Sequence, residues 1–323
     1  MPIQGKTDYT LLRDVVGTIT VYNRQTGQVY ANGTDYTVSS AGHLVIPDTT
    51  QIPKVPANWT STPIAGWPWT ANRADGSAIR LSSDYQYHQI AVTYEGKPLA
   101  YTMPPSTPGL QKLMAKLNSG QSVAITFVGD SITYGADSTW EMNANPRQRG
   151  YAYQVVQHLA ALYPGHVYYR DRAVSGTTMG YGAYYAASTV ADTASDAVVI
   201  AWGMNDAGIQ TPEASFETSL RQVVAAARTA NPDCEILDVL SWPSNPELSP
   251  QNWGPFGWYY TAAGNVAGNT PGFVVANVTS PAWDYILARK SFYDVTANGV
   301  NHPSDWMASV YAQIVLRAIF GTS

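Results

Sequence analysis

Ser131 stands just past the apolar run Val123-Ala124-Ile125-Thr126-Phe127-Val128, in the stretch Gly129-Asp130-Ser131-Ile132-Thr133. A hydroxyl there would sit at the mouth of a buried strand, where the next helix N-terminus favours developing negative charge. Serine also caps helices without doing chemistry. Asn205, in Ala201-Trp202-Gly203-Met204-Asn205-Asp206, could give its amide to an oxyanion or close an Asx turn. Gly176, in Ala173-Val174-Ser175-Gly176-Thr177, offers either an unobstructed backbone N–H or an ordinary turn. His302 lies in the polar, turn-rich stretch Asn298-Gly299-Val300-Asn301-His302-Pro303-Ser304-Asp305, before a final helix. The other four histidines read as structural or solvated: His43 beside a turn, His88 in a strand, His158 in a helix and His166 in a Pro-Gly loop. A hydroxyl needs a base within reach to become a nucleophile, and acyl transfer needs donors for its oxyanion. Ser131, His302, Gly176 and Asn205 supply one of each part.

The elements that must position these residues follow from hydrophobic periodicity. Short apolar runs occur at 123–128, 167–170, 197–202, 235–240 and 273–278, with helical patterns between them. The clearest helix covers 212–229. Phe216, Leu220, Val223, Val224 and Ala227 form one apolar stripe, Thr211-Pro212-Glu213 opens it and Asn231-Pro232 ends it. A second helix is predicted from about 149 to 162. Buried strands alternating with helices imply a parallel sheet covered on both faces. Ligands of such sheets bind beyond the carboxyl ends of the strands. Ser131, Gly176 and Asn205 fall at those ends, and His302 in the loop before the last helix.

Ser, Gly, Asn and His, in that order, resemble the SGNH hydrolases of the GDSL esterase superfamily. The resemblance rests on Gly129-Asp130-Ser131, Gly176, Gly203-Met204-Asn205-Asp206 and His302-Pro303, and covers about residues 120–323. It implies an α/β fold: a flavodoxin-like, three-layer arrangement around five parallel strands. It implies Ser131 as nucleophile and His302 as general base. The oxyanion hole would come from the N–H groups of Ser131 and Gly176 and the Asn205 amide, with no cofactor and no metal. One departure stands out. The superfamily carries Asp three residues before the His, and here that position is Gly299, next to Asn298. Neither can carry the charge that stabilises imidazolium. The sequence therefore predicts a Ser131–His302 dyad whose imidazole is oriented by a backbone carbonyl near 298–300. Asp305, in the first turn of the last helix, is the alternative third member, and Asp294 is also near in sequence.

Residues 1–108 read as an accessory β-rich domain and linker, and 109–323 as the α/β hydrolase domain. Alternating strands with Gly-containing turns fill 9–46, long loops fill 47–80, and one further strand includes His88, Ile90, Val92 and Tyr94. Met103-Pro104-Pro105-Ser106-Thr107-Pro108 reads as the linker. The segment 241–262, SWPSNPELSPQNWGPFGWYYTA, follows the fourth strand and should overhang the site. Its Trp242, Trp253 and Trp258, with Tyr134 and Trp140, form a candidate sugar-binding surface; the structural alternative is a mini-core that holds a long loop together. No aliphatic lid for a fatty acyl tail is visible. The expected substrate is thus an acetylated poly- or oligosaccharide, and the expected activity a carbohydrate O-acetyl esterase. The rivals are a broad arylesterase or lipase-like hydrolase, and a glycan-binding module on an inactive hydrolase fold.

Composition narrows the field further. Charged residues make up 13% of the 323 residues, about half the usual share. Tyr and Trp are abundant, at 22 and 10, which excludes a disordered chain. A net charge of −5 argues against nucleic acid as a partner. No apolar run reaches the length of a transmembrane helix. One cysteine, Cys234, precludes an intrachain disulfide and a Cys-rich metal site. The N-terminal stretch lacks a basic-then-apolar leader pattern. Together with the β-module, this suits an extracellular or virion-associated protein, such as a phage tail component acting on a host polysaccharide.

Overall fold

The computed structural model describes residues 1–39, 42–67, 69–99, 101–103, 108–192, 194–249 and 256–321. Most of the predicted linker, residues 104–107, lies outside them.

Twelve strands run through the described residues in chain order. They are β1 (Asp8–Thr10), β2 (Val15–Asn23), β3 (Thr37–Val38), β4 (His43–Val45), β5 (Ala71–Asn72), β6 (Ala78–Ile79), β7 (Ile90–Gly96), β8 (Val123–Gly129), β9 (Val167–Asp171), β10 (Ala197–Ala201), β11 (Glu235–Leu240) and β12 (Phe273–Asn277). The last five form one sheet in the order β12-β11-β10-β8-β9, every pair parallel. This is the flavodoxin-like order, with the strand direction of winding reversing between β8 and β10. β8, β10 and β11 are buried along their whole length, which is why they read as largely apolar runs, with Thr126, Glu235 and Asp238 as the polar exceptions.

Helices cover both faces. Tyr151–Leu162 and the C-terminal helix Asp305–Phe320 pack one face through Val155, Leu159, Tyr311 and Val315. Glu213–Ala230 packs the other through the predicted stripe Phe216, Leu220, Val223, Val224 and Ala227. Beside it lies the helix Phe256–Ala267, in a segment expected to overhang the site as a loop. Its buried residues Tyr259, Ala262, Ala263 and Val266 recur at i, i+3, i+4 and i+7, a helical stripe among aromatic and Gly residues that read as loop.

The N-terminal region is small and antiparallel. β1, β4 and β3 form one sheet, β2 pairs with β7, and β5 with β6. Two expectations are corrected here. The stretch 47–80 contains the β5–β6 pair and a 3-10 turn, Trp59–Ser61, besides its loops. His88 closes a 3-10 helix, Ser83–His88, instead of lying in a strand, because the Ser82 side chain accepts the Asp84 N–H and starts a helical turn. A further core joins the two parts: Val55, Trp59, Ile79 and Tyr85 from the N-terminal region pack with Leu248 and Tyr293 of the α/β part.

Candidate active site

Ser131 opens a one-turn helix, Ser131–Tyr134, at the end of β8. Asp130 caps that helix: its carboxylate accepts the Ile132 N–H at 2.9 Å. Full burial pushes the Asp130 carboxyl up to about 7, against the pull of that hydrogen bond and of His302. Asp130 therefore fixes the turn that carries Ser131.

The Ser131 hydroxyl lies 2.8 Å from His302 Nε2. The other ring nitrogen, His302 Nδ1, lies 2.6 Å from Asp137 Oδ2. A carboxylate only accepts, so Nδ1 carries the proton and Nε2 presents its lone pair to the hydroxyl. This corrects the expected dyad: a side-chain carboxylate, not a backbone carbonyl, faces the distal nitrogen. Asp305 is not that carboxylate. It is buried in an ion pair with Arg24 at 2.9 Å and accepts the Thr139 N–H and hydroxyl at 3.0 and 2.5 Å. Asp294 pairs with Lys290 and the terminal amine of Met1, so it is engaged elsewhere as well.

The reason that the acid is not at position 299 is steric. Gly299 has φ +81°, and a Cβ there would stand 2.4 Å from Tyr85 Oη and 2.5 Å from the Arg80 carbonyl oxygen. The N-terminal region occupies the space in which an Asp side chain would begin. The turn is held instead by Asn298, whose side-chain oxygen accepts the N–H groups of Val300, Asn301 and His302 at 3.0, 2.9 and 3.0 Å. Asp137 comes from the loop after the nucleophile helix, with a left-handed backbone at φ +58°. Its only trace in the sequence is its position, a carboxylate six residues past the serine in a strand-end loop.

The candidate oxyanion donors Ser131, Gly176 and Asn205 follow the ends of the adjacent strands β8, β9 and β10. The Asn205 amide donates one hydrogen to the Thr177 carbonyl at 2.8 Å, which aims the side chain and leaves its second hydrogen for a ligand. Gly176, just before, has φ +77° and is exposed. Buried Asp206 accepts the Met179 N–H at 3.0 Å and so ties the loop after β10 to the loop after β9. Ser131, Gly176 and Asn205 thus lie at the carboxyl ends of β8, β9 and β10, and His302 reaches Ser131 from the loop before the last helix.

The aromatic residues divide. Tyr134 and Trp140 are about half exposed, and the Arg149 guanidinium stacks over Trp140, 4.0 Å from its ring. Trp258 is exposed on the helix Phe256–Ala267. Trp242 is the correction. It is fully buried, stacks on Phe292 at 4.8 Å and donates its indole N–H to the Asn301 carbonyl at 2.8 Å. It braces the backbone before His302 and offers no surface to a sugar. Trp253 lies outside the described residues. Trp306, which reads as an apolar helix residue, is exposed four positions after His302. Among the described residues, no three His, Cys, Asp or Glu side chains are grouped to hold a metal ion, and no helix is long and apolar enough to cross a membrane.

Comparison with known proteins gives the family and the fold. The profile of the GDSL-like Lipase/Acylhydrolase family matches residues 127–307. No curated protein sequence matches the chain. Several solved structures share the fold. One is a two-domain esterase (CEX) active on acetylated mannans, 20% identical, with a TM-score of 0.51. That match covers 66% of this chain but only 54% of the esterase, so this chain spans about half of that relative's length. Another is Axe2, an acetylxylan esterase from Geobacillus stearothermophilus, 23% identical with a TM-score of 0.51, covering 63% of this chain and 96% of Axe2. A third is LAE5, an α/β hydrolase from the metagenome of Lake Arreo, Spain, 20% identical with a TM-score of 0.51, covering 63% and 98%.

Proposed function

Because the chain belongs to the GDSL-like lipase/acylhydrolase family, a family of carboxylic ester hydrolases, we propose that it is a serine esterase that removes small acyl groups, O-acetyl above all, from a carbohydrate. The observation that carries the reading is the chain of contacts Ser131–His302–Asp137, 2.8 and 2.6 Å long. Ser131 Oγ attacks the acyl carbonyl carbon while His302 Nε2 takes its proton. The tetrahedral oxyanion is met by the N–H groups of Ser131 and Gly176 and the Asn205 amide. His302 then gives the proton to the departing sugar oxygen. A water, deprotonated by the same imidazole, attacks the acyl-enzyme and releases acetate. Asp137 keeps the imidazole in the tautomer that accepts at Nε2 and stabilises the cation it becomes.

The substrate class rests on the exposed rings. Tyr134 and Trp140 follow the nucleophile and Trp306 follows the base, each offering a flat apolar surface of the kind that stacks on pyranose faces. The mannan and xylan esterases that share the fold act on acetylated glycans, which supports the same class here. A carboxylate at the imidazole, Asp137, supports an active enzyme over a glycan-binding module on an inactive fold. The test is turnover of p-nitrophenyl acetate, butyrate and octanoate, followed by acetate release from acetylated mannan and xylan. Acetate ester and glycan should be cleaved, and octanoate should not. Preference for octanoate would point to a lipase-like enzyme, and no turnover of any ester would overturn the esterase.

A further inference from the structure

Asp137 and His302 are 165 residues apart in sequence and sit on separate loops, yet the imidazole must meet the carboxylate within hydrogen-bond distance. Asp305 already joins the two loops through the Thr139 N–H and hydroxyl, and a side chain of the N-terminal region bridges them at Asp137 itself. Gln86, from the 3-10 helix of the N-terminal region, is fully buried. Its side-chain amide donates to the main-chain carbonyl of Asp137 itself. Its side-chain oxygen accepts the N–H of Asp305, three residues past His302, at 3.1 Å. A carbonyl can only accept and an N–H can only donate, so both ends of the amide are committed and its orientation is fixed. A second contact backs the first. Gln25, at the end of the β2 ribbon, exchanges hydrogen bonds with Asn145, further along the Asp137 loop, at 2.9, 3.1 and 2.7 Å. The same Gln25 amide also reaches the Gln86 carbonyl at 3.4 Å.

We propose that Gln86, backed by Gln25, is a positioning residue that sets the distance between Asp137 and His302, so that the N-terminal region completes the active site of the α/β part. The proposal rests on the Ser131–His302–Asp137 reading above. Asp137 adopts a left-handed backbone that a non-glycine residue holds only when its surroundings over-determine it. The bond from Gln86 falls on that residue's own carbonyl. The region that fills the space at Gly299 thus also fastens the acid that serves in its place.

The test uses the full chain labelled with 15N-histidine. In the unaltered protein, His302 should show a single Nδ1–H tautomer with a strongly downfield proton, assigned by its loss in His302→Gln. Asp137→Asn should abolish that signal. Gln86→Met keeps the volume and removes both hydrogen bonds. It should broaden the signal, admit the Nε2–H tautomer, and lower kcat on an acetyl ester about 10- to 100-fold with KM within about threefold, the scale of a misplacement near 1 Å. Gln25→Ala, a change at a half-buried residue outside the hydrophobic cores, should act in the same direction with kcat lowered about threefold, and it decides the matter should Gln86→Met not fold. A signal that Asp137→Asn removes but that the folded Gln86 or Gln25 variant retains, with kcat within twofold, overturns the proposal alone. A signal that Asp137→Asn leaves in place overturns the triad, and the proposal with it. The resonance needs no turnover, so an intact signal that depends on Gln86 supports the proposal even in a protein that cleaves none of the esters.

Discussion

Position 299 carries no side chain because Tyr85 Oη and the Arg80 carbonyl oxygen stand 2.4 and 2.5 Å from where its Cβ would be. Restoring an acid there should therefore fail in two ways. Gly299→Asp must give up a φ of +81° and push the N-terminal region away, so a lower Tm and a loss of activity are expected, not a second acid. Asp137→Asn, in contrast, keeps the fold and misorients the imidazole, and kcat should fall about 10⁴-fold. Adding Gly299→Asp to Asp137→Asn should rescue nothing; recovery of turnover in that double variant would show that the steric argument is wrong. The proposed oxyanion role of Asn205 is tested separately. Its amide is aimed by the Thr177 carbonyl at 2.8 Å, and Asn205→Ala should lower kcat by about 10²–10³. KM should barely move, since the charge it meets exists only in the transition state; a change confined to KM would remove Asn205 from the oxyanion hole.

At the scale of elements, the legible parts were those whose burial forces a periodicity. β8, β10 and β11 are buried throughout and read as apolar runs, and Glu213–Ala230 shows its stripe because only one face is covered. Phe256–Ala267 escaped because its contacts are made by Ala and Tyr among exposed Trp and Tyr, so the contrast between faces is weak. Ser131, Gly176, Asn205 and His302 were legible because strand ends and the family pattern mark them. Asp137 was not, since its role depends on which loops meet across 165 residues. β11 also holds a residue that departs from the apolar pattern. Asp238 is fully buried, burial pushes its carboxyl up to about 8, and its Oδ2 has no hydrogen-bond partner among the described residues. In the unfolded chain the same group ionises near 3.9. Between those values the unfolded state releases a proton that the folded state keeps, so stability is lost as pH rises from about 4 to about 8. Asp238→Asn has no proton to release. Its Tm minus that of the unaltered protein should therefore grow by several degrees between pH 5 and pH 8, read by calorimetry. Parallel Tm curves across that range would place no ionisation penalty on Asp238.

For the whole molecule, the question is whether the N-terminal region is an appendage or part of one folding unit. The expected division at residue 108 treats it as an accessory domain. Its contacts argue for more than attachment. Trp59 and Tyr85 share a buried core with Leu248 and Tyr293, their rings 4.6 and 6.1 Å apart in the pairs Trp59–Tyr85 and Tyr85–Tyr293. Arg24 neutralises Asp305, a carboxylate buried at the start of the C-terminal helix, and removing one partner of such a pair leaves a charge that costs about 3–5 kcal/mol. Without residues 1–108, Asp305 would keep its Thr139 partner and lose its cation, Tyr293 would lose its stacking partner, and Asp137 would lose Gln86. A unit bound in this way should unfold in one step. Calorimetry of the full chain should show a single transition whose calorimetric and van't Hoff enthalpies agree, with esterase activity lost across the same temperatures. The piece 109–323 expressed alone should be less stable and lack activity even where it retains helix and sheet. Two resolved transitions, or a truncated piece as active as the full chain, would show that the α/β part builds its site unaided and that the N-terminal contacts are incidental to it.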